Sequence, residues 1–212
     1  MIKYKYQPPG FIAKFYGNTI WKSTSGKILI TFDDGPNEKT TLRILELLNK
    51  VSVKSVFFCV GNNIEKFPGL SNEIVKSGHQ IGNHTFNHSG LTGLNKNELK
   101  NELVHFNKIS ENILGFVPEY FRPPYGRIFP WHVKLLNGNG LTNVMWSLLP
   151  YDYKNDLNIV KFALNNYLQS NSIIVFHDSN KSAGIIIESI NYLLELVDKK
   201  GFTIGTPSEC LK

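Results

Sequence analysis

Two adjacent carboxylates, Asp33 and Asp34, end an apolar run and are followed directly by a Gly-Pro pair. His84 and His88 follow later in the chain, four positions apart in the segment HTFNH. One carboxylate and two imidazoles form a three-ligand set that leaves coordination positions of a metal ion open for water. A divalent ion bound in this way lowers the pKa of its water from 15.7 to about 7. The sequence therefore predicts a water-activating metal site with Asp34, His84 and His88 as ligands.

The second carboxylate, Asp33, is free to act as a base. Neighbouring side chains of a strand point to opposite faces, so both carboxylates reach one site only if the chain turns there, as the Gly-Pro pair favours. Asp33 also needs a cation to stay ionised beside Asp34, and we assign this role to Arg122 in the segment RPPYG. His177 ends an apolar run and is interpreted as a placed acid or base rather than a core histidine. Asp152 could orient it and hold it protonated, or could be a simple loop residue.

Apolar runs alternate with amphipathic segments along the chain. We predict strands at 27–32, 54–60, 79–82, 120–122, 143–147, 172–176 and 202–204. We predict helices at 40–50, 70–77, 95–114, 131–136, 157–168 and 185–199, with Gly78, Gly115 and Gly201 as caps. Such alternation is typical of a parallel sheet covered by helices, and α/β barrels build their sites at the carboxyl ends of the strands.

The predicted fold is α/β: a distorted (β/α) barrel of fewer than eight regular units, with the site at the C-terminal ends of its strands. The chain is short for eight full units, and an open doubly wound sheet is the alternative. Residues 1–26 are predicted to form an extension or cap, and residues 27–212 the catalytic domain.

Composition bounds the class of protein further. The 212 residues are 42% hydrophobic and 19% charged, as expected of one globular domain. Cys59 and Cys210 form no disulfide framework, which favours reduced thiols. The net charge of +6 is scattered, which argues against a nucleic-acid partner. No apolar stretch is long enough to cross a membrane, and the first residues lack the apolar core of a signal peptide. We therefore expect a cytoplasmic protein, or an extracytoplasmic one if a leader has been removed.

Five motifs together resemble the polysaccharide deacetylases of carbohydrate esterase family 4, the NodB homology domain. They are TFDDGP at 31–36, HTFNH at 84–88, RPPYG at 122–126, a partial fourth motif around Asp152, and VFH at 175–177. The resemblance extends over residues 27–205. It implies a distorted (β/α) barrel and a metal-dependent N-deacetylase. The implied roles are Asp33 as base, Asp34, His84 and His88 as metal ligands, His177 as acid, Arg122 as the partner of the base, and Asp152 as the partner of the acid.

The resemblance also implies a substrate pocket. The backbone N–H of Tyr125 would stabilise the oxyanion, and Val175 would line the acetyl pocket, with Pro123 and Tyr153 also predicted to contact substrate. The fourth motif departs from the family pattern Asp-x-x-Asp-Trp. Leu149 stands at the first Asp, and Tyr153 replaces the Trp. This departure affects the wall of the acetyl pocket rather than the chemistry.

The function expected from these residues is removal of N-acetyl groups from N-acetylhexosamine units of an oligo- or polysaccharide. The cofactor is one divalent metal ion, with zinc preferred and cobalt, nickel or manganese as alternatives. The partner is an acetylated glycan, either chitooligosaccharide, peptidoglycan or a lipid-linked sugar. Two other functions stay open: an O-acetyl esterase on the same scaffold, and a catalytically silent glycan-binding module. The second is disfavoured because a binding module needs no base and acid placed together.

Overall fold

The fold is seen in a computed structural model that describes residues 5–10 and 15–212. The described residues form one sheet of seven parallel strands in the order β1-β6-β5-β4-β3-β2-β7. The strands are β1 Thr19–Ile20, β2 Leu29–Asp33, β3 Val56–Cys59, β4 Gln80–Asn83, β5 Tyr120–Phe121, β6 Thr142–Val144 and β7 Ile173–His177. The described α-helices are α1 Thr41–Lys50, α2 Gly61–Lys66, α3 Pro68–Lys76, α4 Lys96–Leu114, α5 Pro130–Gly138, α6 Leu157–Tyr167, α7 Ile186–Lys199 and α8 Pro207–Cys210.

The sheet curls towards closure as a distorted barrel. From β2 to β6 each strand lies beside its neighbour in sequence, so the winding never reverses as it does in a doubly wound sheet. The chain after β6 then reaches β7, where Leu148 bridges Ile174. The Val175 N–H also donates to the Leu148 carbonyl at 3.1 Å. The predicted barrel is confirmed, and the open sheet is excluded.

The central strands are apolar because helices cover the outside of the barrel and side chains fill its inside. Every residue of β2 and β3 is buried, as expected of parallel strands covered on both faces. Phe32 stacks on Phe57 at 4.8 Å and on Phe176 at 6.2 Å between ring centroids. These three rings lie in one cluster with Ile44 of α1 and Ile190 of α7, which fixes the strand ends relative to the helices.

Most predicted elements are present, with ends shifted by up to three residues. The three predicted cap glycines have left-handed backbones, with φ of +77° at Gly78, +80° at Gly115 and +64° at Gly201. The strand predicted at 202–204 is wrong, because this segment makes only a single bridge, between Ile204 and Ile28. Short elements were missed: β1, α2 and α8 are too short to show a hydrophobic period.

The predicted N-terminal extension, residues 1–26, lies partly outside the described residues, which omit 1–4 and 11–14. Its described part takes part in the fold: β1 pairs with β6, and Tyr6 is buried against the main core. Cys59 and Cys210 are buried and not joined to each other. Among the described residues, no helix is long and apolar enough to cross a bilayer.

Candidate active site

A cleft of about 250 Å³ opens at the carboxyl ends of the strands. The predicted metal ligands, base and acid all line it, together with Tyr125, Tyr153 and Val175. The parallel arrangement explains this gathering, because every strand delivers its C-terminal residues to the same end of the barrel. Residues distant in sequence therefore share one small volume.

The strand end at Asp33 and Asp34 directs two neighbouring carboxylates into this cleft. Asp33 is the last residue of β2 and is only 4% exposed. Asp34 has a left-handed backbone with φ of +76°, which breaks the alternation of the strand. The Asn63 amide donates to the Asp34 carbonyl oxygen at 2.7 Å and holds the turn from α2. The predicted turn is thus present.

Asp34, His84 and His88 form a cluster that could hold a metal ion, with one ligand atom from each lying within 4.8 Å of the others. The Asp34 Oδ1 atom lies 3.2 Å from His88 Nε2 and 3.7 Å from His84 Nε2. The His84 Nδ1–H donates to the Arg122 carbonyl at 2.7 Å, which leaves Nε2 unprotonated towards the cluster. An oxygen and two imidazole nitrogens are suitable donors for zinc, cobalt, nickel or manganese. The residues present therefore fit a divalent ion.

At His84 and Asp34 the electrostatics favour the protonation states that metal binding needs. Burial lowers the pKa of His84, and this effect outweighs the opposing charges of Asp33 and Asp34. Burial alone would raise the pKa of Asp34, but the hydrogen bond from His88 and the nearby histidine charges hold that pKa well below its usual range. A neutral imidazole and an ionised carboxylate are the forms that bind a cation.

Asp33 forms a buried ion pair with Arg122, whose Nη1 lies 2.7 Å from Asp33 Oδ1. Arg122 is fully buried, and its remaining donors reach Thr31 Oγ1 at 2.7 Å and the carbonyls of Val144 and Met145 at 2.9 and 3.0 Å. Burial lowers the pKa of the guanidinium, and the Asp33 carboxylate opposes that effect. A planar guanidinium with four such contacts has a single orientation, so Asp33 is held in place.

His177 forms the second ion pair of the cleft, with Asp152. Its Nδ1–H donates to Asp152 Oδ1 at 2.8 Å, and its backbone N–H donates to Asp152 Oδ2 at 2.7 Å. Burial opposes protonation of the imidazole, but the charge and hydrogen bond of Asp152 raise the pKa of His177 to about 9. The imidazole Nε2 is thus free to carry a proton towards the cleft, where His177 is a lining residue.

The predicted substrate-binding residues divide into two groups. Tyr125, Tyr153 and Val175 line the cleft, and so does Leu149 of the altered fourth motif. Tyr125 has a left-handed backbone with φ of +62°, and its ring meets His88 edge-on at 4.9 Å. Tyr153 meets His177 edge-on at 4.7 Å, in the place that the family pattern gives to Trp. Pro123 is the exception, since it is buried and is not a lining residue of the cleft.

Sequence reasoning missed three further residues of the cleft. Trp146, Arg127 and Lys181 line it as well. Trp146 follows β6, so its position after a strand was the available signal. Arg127 and Lys181 are two of 23 basic residues, and no spacing distinguishes them from the others.

A (β/α) barrel with two carboxylates and three histidines at one cleft, and a buried arginine paired with one of the carboxylates, defines a metal-dependent hydrolase scaffold. The polysaccharide deacetylase family model matches residues 22–144. This match covers more than half of the chain, so the protein belongs to the polysaccharide deacetylase family. The family predicted from the five motifs is confirmed.

Individual relatives agree with this assignment. A peptidoglycan-N-acetylglucosamine deacetylase of Bacillus cereus is 29% identical over 218 residues, covering 100% of this chain and 98% of the relative. Another protein of that name and organism is 38% identical over 128 residues, but the match spans only 60% of this chain and 46% of the relative. The crystal structure of the Bc1960 peptidoglycan N-acetylglucosamine deacetylase superimposes with a TM-score of 0.87 at 26% identity, covering 97% of both chains.

Proposed function

We propose that the protein removes N-acetyl groups from N-acetylhexosamine units of a glycan and releases acetate. The observation that carries this proposal is the pairing of Asp33 with His177. They are register partners on neighbouring strands β2 and β7, and each has its own buried counter-ion. The two residues that we assign as base and acid therefore lie side by side, next to the Asp34–His84–His88 cluster. Amide hydrolysis needs both groups, one for the attacking water and one for the leaving nitrogen.

Asp34, His84 and His88 would hold a divalent ion, and we propose zinc, with cobalt, nickel and manganese as alternatives. When bound, such an ion polarises the acetyl carbonyl and makes a nearby water more acidic. Asp33 lies 4.0 Å from His84 Nε2, so its free oxygen is close to the cluster and can take a proton from the attacking water.

The remaining steps use groups of the chain at stated atoms. We assign to the backbone N–H of Tyr125 the role of donor to the oxyanion that forms on the acetyl carbon. His177, protonated with the help of Asp152, gives its Nε2 proton to the leaving amine. Val175 and Tyr153 form the wall of the pocket for the acetyl methyl group.

We propose N-acetylglucosamine units of peptidoglycan as the substrate, because relatives of this chain carry that name. Chitooligosaccharide remains the alternative, since it offers the same acetamido group. An O-acetyl esterase is a further candidate, and the role of His177 separates the two reactions. An alkoxide leaves more easily than an amine, so an esterase would tolerate His177→Ala better than an N-deacetylase would.

The deciding experiment measures acetate release from a small panel: peptidoglycan fragments, chitooligosaccharides and an O-acetylated sugar. The protein is stripped with a chelator and then supplied with zinc, cobalt, nickel or manganese. We expect release from the N-acetylated glycans that is lost on stripping and restored by metal. His84→Ala should lose both metal and activity, whereas His105→Ala, at an exposed histidine outside the cleft, should keep both. Full metal loading of the wild type without any acetate release would instead favour a glycan-binding module.

A further inference from the structure

Glu102 of α4 is a nearly buried carboxylate, 9% exposed, that contacts the loop carrying the histidine pair. It accepts from the Asn87 backbone N–H at 2.8 Å, from the Asn87 side-chain amide at 2.8 Å and from the Ser89 hydroxyl at 3.2 Å. Across the part of the chain that the structure describes, no lysine, arginine or histidine forms an ion pair with it. The loop is therefore its partner, because a buried carboxylate needs donors to offset the loss of hydration.

These donors flank His88 on both sides in the sequence. The loop has left-handed backbones at Thr85 and at His88 itself, with φ of +63° and +57°. Left-handed backbone at residues other than glycine is strained and persists only where the surroundings hold it. Asn87 and Ser89 are the residues next to His88, so the hydrogen bonds to Glu102 fix the backbone on both sides of His88.

The two histidines of the cluster are supported differently. His84 follows directly after β4, is 2% exposed, and donates from its Nδ1–H to the Arg122 carbonyl. The side chain of His88 is 29% exposed, and its Nε2 lies 3.2 Å from Asp34 Oδ1. The position of His88 thus depends on the loop backbone, while that of His84 is fixed by the sheet.

The loop is also held from α2, which makes the contact with Glu102 the second of two anchors. The Gly61 N–H donates to the Thr85 carbonyl at 3.0 Å, and the Asn62 N–H donates to the Phe86 carbonyl at 2.9 Å. The Asn62 side-chain amide donates to Asn87 Oδ1 at 2.8 Å. Helix α2 therefore holds the loop from Thr85 to Asn87, and Glu102 holds the residues on both sides of His88.

We propose that Glu102 is a positioning residue of the metal site, which holds His88 against Asp34 through Asn87 and Ser89. The proposal rests on the metal site of the proposed function. Groups behind the ligands of a metal typically change its affinity by about 10–100-fold when they are removed. Glu102 is such a group, although it acts through the backbone of the loop rather than on the imidazole.

The test compares zinc affinity in Glu102→Gln, Asn87→Ala and the double variant, by competition with a chromogenic chelator. We expect Glu102→Gln to raise the dissociation constant about 10-fold or more. Its amide nitrogen would face the Asn87 N–H or the other loop donors, so at least one hydrogen bond is lost. Asn87→Ala should weaken zinc binding less, because the backbone N–H remains. The loss of zinc-binding free energy in the double variant should be smaller than the sum of the losses in the two single variants, since both changes act on one contact. Glu111→Gln, an exposed residue of the same helix, is the matched control and should leave the affinity unchanged.

A purely structural role predicts a different result. Melting of the metal-free proteins is recorded in parallel, and a lower melting temperature of Glu102→Gln with zinc affinity within twofold of wild type would overturn the proposal. If Glu102→Gln does not fold, the zinc affinity of Asn87→Ala tests the proposal instead. Wild-type zinc affinity in Asn87→Ala would then overturn the proposal. A wild-type protein that binds no metal would overturn the proposed function itself, which is a separate outcome.

Discussion

Asp33 with Arg122 and His177 with Asp152 are two buried ion pairs carried by neighbouring strands of one barrel. On the base side the cation is an arginine that is fully buried and donates to four oxygens. On the acid side the cation is a histidine whose side chain is 15% exposed and donates its ring N–H to a single carboxylate. The arginine side chain is thus fixed by four hydrogen bonds, whereas the imidazole ring donates one, and the His177 backbone N–H adds a second hydrogen bond to Asp152 at 2.7 Å.

This difference matches the two tasks. A base must be held towards the attacking water while it takes the proton, and a guanidinium gives it a counter-ion that does not titrate. An acid must release and recover a proton in each cycle, so its cation has to titrate. We therefore expect the largest losses of activity and stability from mutations in the Asp33–Arg122 pair. We expect pH to act mainly through the His177–Asp152 pair.

The largest effect is expected for Asp33→Asn. The asparagine oxygen can still accept from Arg122, so the fold is kept, but the side chain can no longer take a proton. Loss of a general base typically lowers kcat by about 10²–10⁴-fold. Acetate release and zinc affinity should be measured together, because the zinc affinity is expected to stay close to that of wild type. Asp198→Asn, at an exposed carboxylate, is the control. Wild-type turnover of Asp33→Asn would show that another group is the base.

Arg122→Met should cause the largest loss of stability. It leaves Asp33 buried beside His84 without its cation, and removing one partner of a buried pair costs about 3–5 kcal/mol. Urea unfolding of the metal-free protein measures this free energy. Arg43→Met is the control, since Arg43 is exposed and donates to one carbonyl, of Ala183 at 3.1 Å. A surface change of this kind alters stability by about 0.5 kcal/mol or less. An equal loss of unfolding free energy in Arg122→Met and Arg43→Met would contradict a stabilising role of the buried ion pair.

We expect His177 to make the free energy of unfolding depend on pH. The folded-state pKa of His177, about 9, lies above its ordinary value of 6.5. Its contribution is therefore fully present below pH 6.5 and is lost as the pH rises from 6.5 to 9. A shift of this size corresponds to at most about 3 kcal/mol. Urea unfolding of the metal-free protein between pH 6 and 10 measures this slope.

Asp152→Asn should remove most of that slope, because Asp152 is the main cause of the raised pKa. The same variant should move the alkaline limb of kcat to lower pH, since the imidazole then loses its proton earlier. An unchanged alkaline limb in Asp152→Asn would assign the limb to a group other than His177.

The gathering of the site at one end of the barrel could be predicted, because parallel strands deliver their C-terminal residues to a common edge. Asp33, His84 and His177 each end or directly follow a strand whose apolar run is visible in the sequence. The chemical roles of these residues stay predictions until the variants are measured.

What could not be predicted depends on packing between elements. Glu102 lies 14 residues beyond His88, on a helix whose apolar period says nothing about which loop its polar face contacts. Asp178 accepts from Thr40 and Thr41, and only the approach of β7 to the β2–α1 turn brings these groups together. Membership of a motif did not show which residues line the cleft either, since Pro123 is not a lining residue.

Asp178 joins the two sides of the cleft, and Gly35→Ala tests that connection. The Asp178 N–H donates to the Asp33 carbonyl at 2.8 Å, and its carboxyl group accepts from the two threonine hydroxyls at 2.5 and 2.6 Å. A Cβ at Gly35 would lie 2.3 Å from Asp178 Oδ2, so either the turn after Asp34 or the Asp178 side chain must move. Overpacking of this kind costs about 1–3 kcal/mol of unfolding free energy.

The matched control for Gly35→Ala is Gly69→Ala, because a Cβ at Gly69 meets nothing within 4 Å. Gly69 lies in α3, where alanine is favoured over glycine, so this variant should gain up to about 1 kcal/mol in urea unfolding. Gly35→Ala should also lower kcat, since the displaced Asp178 is hydrogen-bonded to the strand end that carries Asp33 and directly follows His177. A loss of stability with unchanged kcat would mean that the two ion pairs keep their positions independently of this shared link.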